Sequence, residues 1–473
     1  PVHTIAPPHG RWGLICSIAM LLYRTLRAFF RSALRVFFRR IEVVDPHLVP
    51  LDGPVIFAGN HPNSLLDPVV IITTCGRRVR FAAKDVLFRS RLLRPLLDAM
   101  GAVPVRRRSD HGGGPVDNET TFEQLFAVLR AGEAMGIFPE GISHDAAHLT
   151  ELKTGAARIA FGAAAGLPPE SPPLSLVPCG LHYVNRKRFR SSVLVQYGEP
   201  LRLDAERVAA WRADEKAAVR ALTDELTLRM RALTVNADDW DTVRVLDGVR
   251  RLYQPPRIPL EARVELARRF NAVYPTVRDR PDVAALYARV QDWLERLEDV
   301  GLTDDELTRP LRAGRALLAM ARQLTMLLVW LPLAIVGAPL HLPILLGVSV
   351  GGPRIAPRKD VIGTTKFMAG LWGVVALYAA TAALAGWWWG WPWTVVALFA
   401  LPASGYGTLR VLERGRSLRR LTGALARVLR LGAEVEALRA ERGALQKDVI
   451  DAVGRHIPPE MVPLFPRAEA GDA

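Results

Sequence analysis

The sequence predicts an α/β domain, with a mixed sheet and flanking helices, followed by a helical insertion and C-terminal transmembrane helices. Short β-rich runs alternate with helical patterns over residues 41–200, and residues 201–315 are helical in pattern and highly charged. Residues 367–409 contain no Asp, Glu, Lys or Arg, and this segment is long enough for two membrane spans of about 20 residues each. A chain of 473 residues is also too long for one ordinary domain.

Five parts are therefore expected along the chain. They are an N-terminal helix (1–45), the α/β domain (46–200), a helical region (201–315), membrane segments (316–410) and a helical tail (411–473). In the α/β domain we predict strands at Pro54–Ala58, Val79–Ala82, Ala102–Val105, Gly136–Phe138, Leu174–Pro178 and Val193–Tyr197. The predicted helices are Asp67–Thr74, Arg91–Met100, Glu119–Ala131 and Thr154–Ala165.

The N-terminal helix is rich in arginine. Residues 11–40 contain seven arginines and no acidic residue. Four of them recur at steps of three and four and so form one helical stripe: Arg24, Arg27, Arg31 and Arg35. Leucine and phenylalanine cover much of the remaining surface of the helix. This pattern is typical of a helix that lies in a membrane interface. The alternative is an arginine-rich core helix.

The chain is strongly basic, with a net charge of +15 and a pI of about 10.3. Such a charge favours nucleic acid, an anionic membrane surface or phosphorylated substrates as partners. The basic residues follow the apolar segments and no nucleic-acid-binding motif is present, so we expect membrane lipids and no nucleic acid. The three cysteines, Cys16, Cys75 and Cys179, are isolated in sequence, which excludes a disulfide framework and a zinc pattern.

Two apolar segments precede the C-terminal tail, at 323–353 and 367–409. Arginine and lysine flank both segments on every side, and these flanks are expected to be cytoplasmic. The first segment must then be re-entrant or a broken hairpin, which its three prolines permit, and the second a two-helix hairpin turning at the tryptophan-rich stretch 386–393. Three plain spans are the alternative.

A histidine and a carboxylate follow the predicted strand Pro54–Ala58 closely, in the stretch 60–68. His61 and Asp67 are six residues apart and would occupy different faces of one helix. We therefore place His61 in the loop and Asp67 in the first turn of the next helix, so that the loop can fold His61 back onto Asp67. Histidine takes a proton near neutral pH, and a carboxylate can orient it and stabilise its charged form.

Four blocks occur in order along residues 50–200. They are Asn60-His61 to Asp67, Gly101 to Arg107, Phe138-Pro139-Glu140-Gly141 to Ser143, and Val177 to Tyr183. Together with Lys153-Thr154-Gly155 they resemble the phospholipid/glycerol acyltransferase family. The resemblance implies transfer of an acyl group from acyl-CoA or acyl-carrier protein to a hydroxyl of a glycerol phosphate or lysolipid. No cofactor and no metal are implied.

The resemblance also implies roles for individual residues. A hydroxyl is a poor nucleophile until a base takes its proton, which makes His61 the base and Asp67 its orienting partner. Six residues are assigned to substrate binding: Arg106, Arg107, Glu140, Gly141, Ser143 and Lys153. The three cations, Arg106, Arg107 and Lys153, are candidates for binding the acceptor phosphate. Backbone N–H groups around Gly141 or at a helix start are candidates for stabilising the oxyanion of the tetrahedral intermediate. Glu140 either holds the acceptor hydroxyl or locks its loop.

Two departures from the commonest family pattern indicate a subgroup. Five residues instead of four separate His61 from Asp67, and Ile142-Ser143-His144-Asp145 stands where Thr-Arg-Ser is commonest, so that arginine is absent. Both features are similar to the fungal subgroup that acts on glycerol 3-phosphate or dihydroxyacetone phosphate. We therefore expect a membrane-bound O-acyltransferase at the cytoplasmic membrane, its α/β domain on the cytoplasmic face. The alternatives are acylation of a lysolipid, such as 1-acylglycerol 3-phosphate, and a non-catalytic lipid-binding scaffold.

Overall fold

The structure, a computed structural model, describes residues 11–91, 93–105, 119–254, 258–308 and 313–456. The chain divides into two compact units. The first comprises residues 1–236 together with the distant segment Arg358–Thr364, and the second comprises residues 237–357 and 365–473. The first unit therefore extends past residue 200 and takes in a short segment from the apolar part of the chain. The five-part division stays a prediction.

The first unit is built on a mixed eight-stranded sheet, which confirms the predicted α/β class for the described residues. The strands are β1 (Arg40–Val44), β2 (Val55–Gly59), β3 (Val79–Lys84), β4 (Val103–Val105), β5 (Ala134–Ile137), β6 (Leu174–Tyr183), β7 (Ser192–Tyr197) and β8 (Leu201–Leu203). Their order is β1-β7-β6-β2-β5-β3-β4, and β8 also pairs with β6. All six predicted strands are present, while β1 and β8 were not predicted.

The centre of the sheet determines where the first and third sequence blocks meet. β2 is fully buried and runs parallel to both β5 and β6, with Ala58 opposite Ile137 and Pro178. Because parallel strands end at the same edge of a sheet, the loops that follow β2 and β5 lie side by side. His61 follows β2 and Glu140 follows β5. The first and third sequence blocks are thus brought together by strand pairing.

Helices cover the sheet of the first unit. They are α1 (Arg11–Phe37), α2 (Leu66–Thr74), α3 (Arg94–Ala99), α4 (Glu119–Arg130), α5 (Gly155–Ala164), α6 (Ala205–Ala213) and α7 (Glu215–Ala232). A buried core joins the sheet to α4, α5 and α7, with Leu129, Ala160 and Met230 fully enclosed. Asp204 and Asp214 cap α6 and α7 by accepting backbone N–H bonds from the first turns.

Helix α1 is partly a core helix. Tyr23, Phe30, Leu34 and Phe37 are buried, and the Tyr23 hydroxyl accepts a hydrogen bond of 2.9 Å from Val79 N. On the face that carries these buried residues, α1 is therefore a core helix, as the alternative prediction had it. Apolar side chains on the rest of the helix remain exposed: Ile18, Met20, Leu21, Leu22, Phe29 and Val36. Contact of this exposed part with a membrane interface stays a prediction.

The second unit is helical. It contains α8 (Trp240–Tyr253), α9 (Leu260–Val277), α10 (Pro281–Val300), α11 (Asp304–Thr308), α12 (Ala313–Ile355), α13 (Ile362–Trp389), α14 (Trp391–Arg430) and α15 (Gly432–His456). Trp293 lies fully buried in a core that α8, α9, α10, α11 and α15 share. The C-terminal tail is thus helical as predicted, and α15 packs into this core through Val435, Leu438 and Leu445.

Three described helices are long and apolar enough to cross a membrane, which indicates membrane association: Ala316–Ile355, Lys359–Trp389 and Trp391–Val428. The chain turns between the second and third at Gly390, which has a φ of +89°, inside the tryptophan-rich stretch predicted for the turn. The prediction that the prolines break residues 323–353 into a hairpin is wrong. The backbone stays helical through Pro332, Pro339 and Pro343.

Candidate active site

The loops that follow β2 and β5 are joined by backbone contacts. His61 N–H donates to Glu140 Oε1 at 2.7 Å, and His144 N–H donates to the carbonyl oxygen of His61 at 3.3 Å. The side chain of Asn60 fastens the first loop to β6, since it accepts from Leu181 N at 2.7 Å and donates to Leu181 O at 3.1 Å. The first and third blocks therefore form one continuous site at the carboxyl edge of the sheet.

His61 and Asp67 are in direct contact. His61 Nδ1 lies 2.8 Å from Asp67 Oδ2. His61 is in the loop and Asp67 in the first turn of α2, which confirms the placement predicted from the six-residue spacing. The loop reverses at Ser64, whose φ of +49° is rare for a residue with a side chain. This turn lets His61 fold back over the start of the helix.

Asp67 is fully buried and receives two further hydrogen bonds. Asn63 N–H donates to Oδ2 at 2.8 Å, and the Tyr183 hydroxyl donates to Oδ1 at 2.7 Å. Burial raises the pKa of the Asp67 carboxyl, while the bonds from His61, Tyr183 and Asn63 oppose that rise. Burial also raises the pKa of Tyr183 well above its ordinary value, so this hydroxyl remains a donor.

The contacts of Asp67 determine which nitrogen of His61 carries the hydrogen. An ionised carboxylate accepts only, so Nδ1 carries the hydrogen and Nε2 is left with its lone pair. Among the described residues no partner bonds Nε2. The imidazole ring also stacks on Phe138, with ring centres 4.0 Å apart and planes 6° apart, which fixes its orientation. The side chain of His61 is 15% exposed and can therefore reach a bound substrate.

Glu140 is a buried anchor for both loops. Besides accepting from His61 N–H, it accepts at Oε2 from Thr150 N at 3.0 Å and from Thr150 Oγ1 at 2.8 Å, and it pairs with His144 Nε2. Burial works to raise the pKa of Glu140, but the bonds and charge from His144 and the bonds from Thr150 outweigh it and lower the pKa. Of the two predicted roles for Glu140, these contacts favour locking the loop.

Gly141 and Lys153 lie against each other. Gly141 has a φ of +79°, and a Cβ added there would lie 2.9 Å from Lys153 Cδ, Cε and Nζ. The position therefore favours glycine for its backbone conformation, while an added Cβ would displace only the end of the exposed Lys153 side chain. Lys153 is exposed and its backbone N–H donates to Pro139 O at 2.8 Å. Gly141 N–H donates to Phe138 O at 2.9 Å, so this N–H is not available to an oxyanion.

Ser143 is buried beneath the segment Arg358–Thr364, which the sequence did not connect to the site. Ser143 Oγ donates to Asp360 Oδ2 at 2.6 Å, and Arg358 Nη2 donates to Ser143 Oγ at 3.0 Å. Thr364 Oγ1 donates to Asn63 O at 2.6 Å. The segment thus holds the first and third blocks together. It lies about 300 positions from Asn63 in sequence, and no local pattern indicated the contact.

Arg186 is a second residue that sequence reasoning missed. Its guanidinium donates to Pro62 O at 3.4 Å and to His144 O at 3.3 Å, and it pairs with Asp145 at 2.7 Å. Lys187 binds the other oxygen of Asp145 at 2.9 Å. Burial lowers the pKa of Arg186, while nearby carboxylates counter the shift. Arg186 therefore ties the first block to the third from the side of β6.

Two predicted binding residues, Arg106 and Arg107, lie outside the described residues. Of the predicted site residues that the structure describes, His61, Asp67 and Glu140 share hydrogen bonds, and Gly141, Ser143 and Lys153 lie on the adjoining loop. Across the described part of the chain, no group of three or more His, Cys, Asp or Glu residues is placed to hold a metal ion. The arrangement supplies an oriented base beside basic side chains.

Comparison with known proteins points to one family. Residues 40–182 match the family model described as Acyltransferase, and residues 245–462 match the model described as Glycerol-3-phosphate acyltransferase 2 C-terminal domain. Glycerol-3-phosphate O-acyltransferase 2 of Saccharomyces cerevisiae is 37% identical over 235 residues, which is 48% of this chain and 31% of that protein. Glycerol-3-phosphate O-acyltransferase 1 of the same yeast is 32% identical over 194 residues, 40% of this chain and 25% of that protein.

A third relative is similar along most of its length. An uncharacterized acyltransferase of Schizosaccharomyces pombe is 23% identical over 546 residues, which covers 91% of this chain and 80% of that protein. By contrast, this chain spans less than a third of either Saccharomyces cerevisiae relative. The two family models between them match more than half of the chain. With these matches and the four ordered blocks, the chain is similar to acyltransferases over both parts, and to fungal-type glycerol-3-phosphate acyltransferases in particular.

Proposed function

We propose that this protein is a membrane-bound O-acyltransferase. It moves a fatty acyl group from a thioester donor, acyl-CoA or acyl-carrier protein, to a hydroxyl of glycerol 3-phosphate or dihydroxyacetone phosphate. The observation that carries the proposal is the 2.8 Å contact between His61 Nδ1 and the buried Asp67 carboxylate, which leaves Nε2 as a proton acceptor at the carboxyl edge of the sheet. The similarity to the two glycerol-3-phosphate O-acyltransferases of Saccharomyces cerevisiae supports glycerol 3-phosphate as the acceptor.

The proposed reaction needs one proton to move twice. His61 Nε2 takes the proton of the acceptor hydroxyl while the hydroxyl oxygen attacks the thioester carbonyl. The resulting imidazolium is stabilised by Asp67, whose carboxylate faces Nδ1. When the tetrahedral intermediate collapses, the carbon–sulfur bond breaks and the imidazolium returns its proton to the leaving thiolate. The products are an ester and a free thiol, and His61 is restored.

The attack is proposed to be direct, without a covalent acyl-enzyme. Cys75 and Cys179 are buried free cysteines, and burial raises the pKa of both thiols, that of Cys179 well above its ordinary value. A thiol held in its protonated form is a poor nucleophile. Neither cysteine has a histidine among its hydrogen-bond partners, because Cys75 bonds to Arg77 O and Cys179 to Val177 O. The acceptor hydroxyl is therefore the nucleophile.

The proposed binding residues fall into two groups. Lys153, exposed beside Gly141, is a cation for the acceptor phosphate, and Arg106 and Arg107 are proposed for the same charge from the second block. Glu140 and Ser143 are proposed to act indirectly, because their side chains already bind protein partners. They hold the loop that presents Gly141.

We also propose that the site works on the cytoplasmic face of the cytoplasmic membrane, where its basic flanks are expected. Supporting this, residues 358–364 belong to the first compact unit, so the connection between α12 and α13 shares a side of the membrane with His61. Within the described part of residues 236–358, α12 is the one helix long and apolar enough to span, and it packs along α14, with Leu333 against Gly407 and His341 against Gly405.

Purified protein in detergent tests the proposal. It is given acyl-CoA with glycerol 3-phosphate, dihydroxyacetone phosphate or 1-acylglycerol 3-phosphate in parallel, and the assay is repeated with acyl-carrier protein as donor. Ester formation on either small phosphate supports the proposal. Turnover confined to 1-acylglycerol 3-phosphate would assign the alternative acceptor. An absence of turnover with both donors on all three acceptors would favour the lipid-binding scaffold.

A further inference from the structure

The segment Arg358–Thr364 is anchored in the catalytic unit at both of its ends. At its C-terminal end, Thr364 Oγ1 donates to Asn63 O at 2.6 Å and accepts from Leu66 N at 3.2 Å, which satisfies a backbone donor at the start of α2. At its N-terminal end, Asp360 accepts from Ser143 Oγ at 2.6 Å. Asp360, Ser143 and Thr364 are all buried.

Packing around Gly363, next to Thr364, leaves no room for a side chain. A Cβ added to Gly363 would lie 2.5 Å from Asn63 Oδ1 and 3.0 Å from Asn63 Nδ2. Real Cβ atoms essentially never approach that closely, so the backbone of Gly363 lies directly on the loop that carries His61. The segment is therefore held against both the first and the third block, and its side chains have fixed positions relative to them.

Arg358 is the cation that this segment presents at the third block. Its Nη2 donates to Ser143 Oγ at 3.0 Å and to Asp360 Oδ2 at 2.9 Å. Both bonds use the same nitrogen, and 51% of the side chain remains exposed. Among the described residues none accepts from Nε or Nη1, so these two nitrogens remain available as donors. A held but half-exposed guanidinium with free donors is suited to binding a phosphate oxygen.

The sequence of the third block supplies the reason for this placement. The commonest family pattern has an arginine directly after the glycine-containing block, whereas this chain has Ser143-His144-Asp145 there. Ser143 instead receives Arg358 from a segment more than 200 positions away. His144, the neighbour of Ser143, bonds to the backbone of His61, so the guanidinium is attached to the same short loop that contacts the base.

We propose that Arg358 binds the phosphate group of the acceptor and so determines the preference for a phosphorylated acceptor. This inference rests on the proposed function. Asp360 and Ser143 are positioning residues, which hold Nη2 of Arg358 and leave Nε and Nη1 for the ligand. The same chemistry would also bind the phosphate of a lipid headgroup, and the two sources are separated by experiment.

Steady-state kinetics of full-length protein in detergent test the proposal. Arg358→Gln is expected to raise KM for glycerol 3-phosphate about 10- to 100-fold, as the loss of a charged hydrogen bond does. KM for acyl-CoA stays unchanged and kcat stays within about threefold. Arg354→Gln is the matched control, since Arg354 is an exposed arginine four positions away, and its KM for the acceptor is expected to equal the wild-type value.

Arg358→Lys guards against a folding defect. Lysine keeps the charge but loses the planar fork, so an intermediate rise in KM for glycerol 3-phosphate is expected. A wild-type KM for glycerol 3-phosphate in Arg358→Gln would overturn the inference. Weaker binding of this variant to phosphatidic acid vesicles, with that KM unchanged, would overturn it too, by assigning Arg358 to a lipid headgroup. Wild-type protein that does not acylate glycerol 3-phosphate would instead refute the proposed function.

Discussion

Replacement of Asp67 by asparagine separates the charge of this residue from its shape. Asn63 N–H can only donate, so the amide oxygen of the new side chain must take the place of Oδ2, where it still accepts from His61 Nδ1–H. The amide nitrogen then faces the Tyr183 hydroxyl, which can accept a hydrogen bond. Asp67→Asn therefore keeps the tautomer and orientation of His61 and removes only the negative charge.

The size of the effect follows from the geometry of the pair. With Nδ1 and Oδ2 2.8 Å apart, the charges of imidazolium and carboxylate are centred about 4 Å apart and attract by about 4 kcal/mol at an effective dielectric constant of 20. This attraction exists only when His61 has taken the proton, so its loss slows kcat about 10³-fold and leaves both KM values nearly unchanged. Acyl transfer measured by release of free CoA gives kcat directly.

Stability should respond differently from activity. Burial raises the pKa of Asp67, so the buried charge of this carboxylate costs stability; the contribution of the group is fully present below the unfolded pKa and is lost as pH rises through the folded pKa. Asp67→Asn should thus change the free energy of unfolding by about 1 kcal/mol or less at pH 7, because neutral His61 is left with no unpaired charge. Asp98→Asn, on the exposed face of α3, is the control. A kcat within tenfold of wild type would refute the reasoning.

Three further substitutions test the supports of the site. Glu140→Gln should lower the free energy of unfolding by about 2–4 kcal/mol at pH 7. Because the folded pKa of Glu140 is lowered, the difference in the free energy of unfolding between wild type and variant should shrink as pH falls through that pKa, as measured by denaturant unfolding. Gly141→Ala should destabilise more than Gly155→Ala, since Gly141 has a φ of +79° whereas Gly155 begins helix α5 with open space around it; equal melting temperatures would contradict this. Tyr183→Phe should cost about 1–3 kcal/mol in urea unfolding by leaving a buried carboxylate oxygen unpaired, and an unchanged midpoint would argue against that bond.

Much of the first unit was predictable because its signals are local. Strands such as Val55–Gly59 are continuous apolar runs, and turn residues after them mark the change to a helix. The contact of His61 with Asp67 was predicted from their spacing and the turn residues between them, supported by the Phe138-Pro139-Glu140-Gly141 block. Strand β1 (Arg40–Val44) was missed because two of its residues are charged and it follows an arginine-rich helix, and β8 because three residues give no period.

The remaining features depend on long-range contacts. Arg358 was interpreted as a membrane flank together with Arg354 and Lys359, since nothing near it in sequence indicates that it contacts Ser143. Glu140 was recognised as important, but its role as a loop anchor depends on Thr150 and His144, whose positions are fixed by the fold. The continuity of α12 was also missed, because prolines were taken as breaks whereas an apolar helix tolerates them.

The most direct test of the account is the rate of acyl transfer to glycerol 3-phosphate by His61→Ala beside wild-type protein. If His61 is the base, the variant should lose at least about 10³-fold in kcat. Its melting temperature should stay close to wild type, because Asp67 still accepts from Asn63 and Tyr183. A folded His61→Ala variant that retains a tenth or more of wild-type kcat would contradict the assignment of His61 as the base.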